Sequence, residues 1–165
     1  MKRIGSILLV LILMLSFAGC QKTMYDEADF IEQARKEYNI ANAETAVITY
    51  VGESVEGDKA LLWFVSGNEN QGHTYLPMSC SITEDGGRVF EHAYSPLKRG
   101  TDIYVLPEWC GGYGFCVNNP KCKTIKIDDY SGVKEIEVTE YPFIYYNDLL
   151  PSEYFFLDEN GEEVN

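Results

Sequence analysis

Thr74-Tyr75-Leu76-Pro77-Met78-Ser79-Cys80-Ser81-Ile82 decides the fold class. Leu76, Met78, Cys80 and Ile82 alternate with their neighbours at the period of two that sends one side of a strand into a core. Upstream, the apolar run Ala60-Leu61-Leu62-Trp63-Phe64-Val65-Ser66 and the stretch 45–51 flank an acidic, glycine-bearing turn at Gly57-Asp58, which predicts a hairpin. Downstream the pattern predicts strands at 88–94, 102–106, 113–117, 123–127, 133–139, 143–146, 154–157 and 162–164. Ser95-Pro96, the basic corner Lys98-Arg99-Gly100, an Asn119-Pro120 turn and Asn160-Gly161 punctuate them. Short strands separated by turn signals indicate a mainly β, antiparallel fold.

Ahead of these strands stands one helix. From 26 to 38, Ala28, Phe30, Ile31, Ala34 and Tyr38 follow the spacing of a single buried face. Asp26, Glu27 and Asp29 open it and Arg35 and Lys36 close it, as the helix dipole favours, and Asn39 supplies a stop. The expected architecture is an antiparallel sandwich or strongly curved sheet with this N-terminal helix on one face. An α+β, cystatin-like arrangement is the alternative.

The N-terminus has a different character. Lys2 and Arg3 precede an apolar stretch of about fifteen residues, which matches a secretory signal peptide and falls short of a membrane span. It ends Leu15-Ser16-Phe17-Ala18-Gly19-Cys20, which resembles the bacterial lipobox; Phe17 stands where that motif usually carries Leu. The resemblance covers the leader only. It implies removal of residues 1–19, a diacylglyceryl thioether on Cys20, and anchoring to the extracytoplasmic face of the cell membrane. Two acyl chains hold stably where one is marginal, because each buried CH₂ contributes about 0.8 kcal/mol. Residues 20–24 then read as a lipidated tether and 25–165 as one globular β-rich domain.

The chain carries a formal charge of −13, and loss of Lys2 and Arg3 makes the remainder two units more negative. That balance excludes nucleic acid as a partner, since phosphate neutralisation needs basic patches. It also disfavours close contact with anionic headgroups. The expected partners are the bilayer, through acylated Cys20, and an envelope protein or cell-wall polymer.

With Cys20 taken by lipid, Cys80, Cys110, Cys116 and Cys122 remain. In an exported domain four cysteines suggest two disulfides. Cys116 and Cys122 stand symmetrically about the Asn-Pro turn, placed to face each other across a hairpin, leaving Cys110 for Cys80; Cys110 with Cys116 is the rival pairing, and buried free thiols are a third state. Spacings of five residues between Cys110, Cys116 and Cys122 do not match structural zinc knuckles, so neither metal nor cofactor is expected.

No catalytic constellation is legible. His92 with Cys110 as nucleophile defines the alternative, an envelope hydrolase or thiol enzyme. The leading expectation is a non-enzymatic binding or accessory module. Its candidate surface is the glycine-rich loop with Trp109, Tyr113 and Phe115, followed by the polar loop holding Asn70 and His73. Asp158-Glu159-Asn160-Gly161 lacks the ligand pattern of a calcium loop and reads as a turn.

Overall fold

The computed structural model of the chain describes residues 22–40, 47–67, 74–98 and 101–164. The expected leader at 1–19, Cys20, and the loop residues Asn70 and His73 lie outside the described residues. The fold is mainly β and antiparallel, with a strongly curled half-barrel sheet and one short helix among the described residues. In chain order the elements are β1 (Thr23–Met24), α1 (Glu27–Glu37), β2 (Ile48–Glu56), β3 (Lys59–Ser66), β4 (Thr74–Ile82), β5 (Arg88–Ala93) and β6 (Leu97–Lys98). There follow β7 (Ile103–Trp109), β8 (Gly112–Val117), β9 (Thr124–Asp129), β10 (Gly132–Glu137), β11 (Phe143–Asn147) and β12 (Pro151–Leu157).

These strands build three sheets. The first has the order β1-β5-β4-β3-β2, with β6 also on β4; the central sheet is β11-β8-β7; the third is β10-β9-β12. Strand alternation then defines three cores. Leu62, Phe64, Leu76, Met78 and Cys80 face α1, meeting its Ala34, Phe30, Ile31 and Tyr38. Leu61, Trp63, Val65 and Tyr75 point the other way, onto Tyr104, Leu106 and Cys116 of the central sheet. The opposite face of that sheet (Ile103, Val105, Phe115 and Val117) packs on Ile125 and Ile127 of the third. The order of layers is helix, first sheet, central sheet, third sheet. Each fully buried Leu, Ile, Phe or Met contributes roughly 1.5–3 kcal/mol, and both covered faces of β3 and β8 explain their nearly continuous apolar runs.

Local chemistry matches the elements. Asp26 caps α1 by accepting from the Asp29 amide at 2.9 Å. Asn39, at φ 54°, adopts the left-handed conformation that ends a helix. Pro77 is tolerated inside β4 because it falls between the stretch paired to β6 (Thr74, Tyr75) and the stretch paired to β5 (from Met78). Its carbonyl accepts from the Tyr94 amide at 3.0 Å and from the Tyr38 hydroxyl.

Three sequence expectations are corrected. Residues 20–24 are not wholly a tether: Thr23 and Met24 pair with Val89 and Arg88, and Met24 is completely buried in the helix-side core. The strands flanking Asn119-Pro120 do not form a hairpin, because β8 pairs with β7 and β11 while β9 pairs with β10 and β12. The turn instead passes the chain from the central to the third sheet. The expected last strand at 162–164 is reduced to one bridge between Leu157 and Glu163. The Asp158 carboxylate closes that turn by accepting from the Asn160 and Glu162 amides at 2.8 and 2.9 Å.

Candidate functional site

β7 and β8 meet in a turn of only two residues, Cys110 and Gly111, with Trp109 opposite Gly112. Both turn residues have positive φ, 48° and 83°, as the tightest hairpins require. A register shift before Trp109 places Glu108 at φ 61° and turns the indole inward. Trp109 is 4% exposed and stacks edge-on against Tyr146 at 4.9 Å. Phe115 is fully buried among Tyr145, Tyr154 and Phe156, and Tyr113 is half-buried against Tyr154. The expected aromatic surface of Trp109, Tyr113 and Phe115 is therefore corrected: Trp109 and Phe115 are core, and Tyr113 is half-buried against it. The central sheet is covered on both faces, so alternation along β8 exposes neither set of side chains.

Cys80, Cys110, Cys116 and Cys122 are free thiols, which corrects the expected disulfides. Cys80 packs in the helix-side core, Cys116 between the first and central sheets, and Cys122 between the central and third. The three thiols thus point into three different cores with a sheet between each and the next, so no two of them face each other as a disulfide requires. Cys110 is the exposed one, at the turn. Burial pushes the Cys80 thiol up to about 12 and raises Cys116 and Cys122 as well. Partial burial raises Cys110, helped by Glu56, Glu91 and Asp58 and opposed by Lys59. A nucleophilic thiol needs the opposite environment.

Cys110 nonetheless sits in a defined setting. Its carbonyl accepts from the Tyr146 hydroxyl at 3.0 Å. Lys59 and Glu91 form an ion pair within electrostatic reach of its thiol. His92, exposed on β5, places its ring edge-on to Tyr94 at 4.7 Å. Among the described residues no hydrogen bond joins His92 to Cys110, and no group of three His, Cys, Asp or Glu side chains is placed to hold a metal ion.

A polar cluster at the far side of the molecule escaped the sequence reading. The Asp129 carboxylate, at the end of β9, is buried. Its Oδ1 accepts from the Ser131 amide at 2.8 Å and from the Ser131 hydroxyl. Its Oδ2 accepts from Asn147 Nδ2 at 3.0 Å and lies 2.9 Å from Lys134 Nζ. Lys134 also donates to Asn147 Oδ1 at 3.3 Å, and Asn147 to the Leu149 carbonyl at 2.7 Å. The donors of Ser131, Asn147 and Lys134 hold the Asp129 carboxyl well below the usual carboxylate range, and Asp129 raises Lys134. Every group in the cluster is engaged, so its work is to fasten the β9–β10 hairpin to the end of β11. The Asp129-Tyr130-Ser131 spacing is a legible side-chain turn. Asn147 and Lys134 as its partners are not.

Around this cluster three apolar side chains are exposed among polar ones. Tyr130 is 99% exposed, Val133 59% and Leu150 55%. Gly132 and Pro151 both pair with Asp129, which brings the β9–β10 and β11–β12 turns side by side. An open hollow of about 510 Å³ is lined by Pro120, Lys121, Lys123, Asp158 and Glu159. Two of its polar side chains are already engaged, Lys123 on the Tyr141 hydroxyl at 3.1 Å and Asp158 on its own turn.

Comparison with protein-family models, with curated proteins and with solved structures found no match.

Proposed function

We propose that the chain is a bacterial lipoprotein, anchored through Cys20 at the extracytoplasmic face of the cell membrane, whose β-rich domain is a non-enzymatic binding or accessory module. The observation that carries the reading is Leu15-Ser16-Phe17-Ala18-Gly19-Cys20, set directly ahead of the first strand. Raised thiols and a fully engaged Asp129 cluster favour a binding role over acid–base or thiol chemistry. Tethering confines the search for a partner to the membrane surface and raises its effective concentration there, so weak contacts suffice. The partner is an envelope protein or cell-wall polymer, and Tyr130, Val133 and Leu150 are exposed apolar side chains, grouped at one end of the third sheet, that can meet it. Cys20→Ser is expected to leave the chain uncut or released from the membrane; a fully membrane-bound, processed variant would refute the lipid anchor. Crosslinking on intact cells, with Tyr130→Ser and Leu150→Ser as controls, tests the binding role. Capture of one abundant envelope component, lost in those variants, supports it, and capture unaffected by them removes this surface from the account.

A further inference from the structure

The entry of the chain into the fold has a consequence for how the domain meets the membrane. Only Gln21 and Lys22 separate Cys20 from Thr23, and the three steps between them cover at most ~3.6 Å each when fully extended, about 10 Å in all. From Lys22 onward the chain is pinned. Thr23 and Met24 are hydrogen-bonded to β5, and Met24 is buried to 0% exposure in the helix-side core. Gly87 leaves room for Thr23 and Tyr25 to lie over it; a Cβ there would come within 2.9 Å of Tyr25 Cε1 and overlap Thr23. The Tyr25 hydroxyl donates to Asp85 at 2.7 Å and its amide to Asp29 at 3.2 Å. Lys22 pairs with Asp29 and Glu32, each at 2.8 Å.

We infer that the lipid headgroup layer lies directly against the end of the domain formed by β1 and the turn at residues 83–87, so that the module is held flush on the bilayer in one orientation. The inference rests on the lipid anchor proposed above. The occupant of this surface is the headgroup layer itself, balanced in charge. Asp26, Glu27, Glu84 and Asp85 stand at this end beside Lys22, and an anchor of about 10 Å keeps them close to one Debye length (~8 Å) from the headgroups. Tyr25, 60% exposed with an apolar ring and a polar tip, suits the depth of that layer.

The test uses the lipidated chain purified from membranes, with Cys110→Ser and a single fluorophore at either Glu84→Cys or Tyr130→Cys. It is reconstituted in phosphatidylcholine vesicles that contain acceptor-labelled lipid. Glu84 is exposed in the 83–87 turn of the first sheet, whereas Tyr130 stands at the turn of the third, two sheet spacings or ~20 Å from the first. Energy transfer from position 84 is expected to exceed that from position 130 several-fold. A long Gly-Ser spacer between Gln21 and Lys22 is expected to abolish the difference. Equal transfer from both positions, or a difference that survives the spacer, overturns the inference while leaving the anchor intact. A purified chain whose Cys20 carries no lipid by mass overturns the anchor, and this inference with it.

Discussion

The Nζ of Lys134 lies 2.9 Å from Oδ2 of Asp129, whose side chain is entirely withdrawn from solvent. One ion pair and its satellites thus lock the third sheet to the central one at a point where the apolar core has run out. Removing one partner from such a cluster leaves the others buried without compensation, which costs more than the cluster contributes when intact.

Asp129→Asn is expected to lower the thermal midpoint by about 5 °C or more, and calorimetry checks it. The pH dependence follows from direction alone. Asp129 has its folded pKa depressed, so its stabilisation is present above the unfolded value, near 4, and is lost as pH falls through the lower folded value. Lys134 has its folded pKa raised, so its share is present below the unfolded value and is lost as pH rises through the folded one. Acid titration of stability should be shallower in Asp129→Asn than in the parent; identical acid profiles would show that other carboxylates dominate.

At Gly114 the central sheet comes close against the first. A Cβ there would sit 2.8 Å from Leu61 Cδ2 and 3.1 Å from Trp63 Cζ2, both fully buried. Gly114→Ala should therefore destabilise by about 1–3 kcal/mol through overpacking. In urea titrations its cost should shrink when it is combined with Leu61→Ala, which vacates the space.

Trp109 and Tyr130 should behave oppositely. Trp109→Ala deletes a buried ring stacked on Tyr146 and should cost roughly 3–5 kcal/mol. Tyr130→Ala removes a side chain that is 99% exposed and should change stability by no more than about 0.5 kcal/mol. Equal effects in chemical denaturation would contradict the inward turn of the β7–β8 hairpin.

The thiols should titrate in two classes. In the folded chain lacking a free thiol at position 20, an alkylating reagent should find Cys110 alone. That reaction should accelerate toward alkaline pH because the thiol is raised. Cys80, Cys116 and Cys122 should label only on unfolding, and prior reduction should not change the total. An increase in labelling after reduction would restore the disulfide account.

Much of the local structure was legible because it depends on neighbours in sequence. The alternation at Leu76, Met78, Cys80 and Ile82, the Asp26 cap with its helix face, and the Asn160-Gly161 turn each act within one element or one turn. The resemblance of residues 15–20 to a lipobox is legible for the same reason, being a linear pattern. The candidate surface was not: burial of Trp109 and Phe115 requires knowing that the central sheet is covered on both sides. Exposure of Tyr130 and Leu150 requires knowing that two distant turns meet at Asp129.

A mainly β chain, one N-terminal helix, the strand faces and a strongly acidic charge can all be read without the fold. Only the tertiary structure decided that β8 and β9 part at Asn119-Pro120 for different sheets. That parting separates Cys116 from Cys122, while the separate pairing of β1 with β5 buries Met24 in the helix-side core. The physical reason is that a period of two specifies two faces for every strand, but which strand lies beside it and what covers each face are set by packing between segments far apart in the chain.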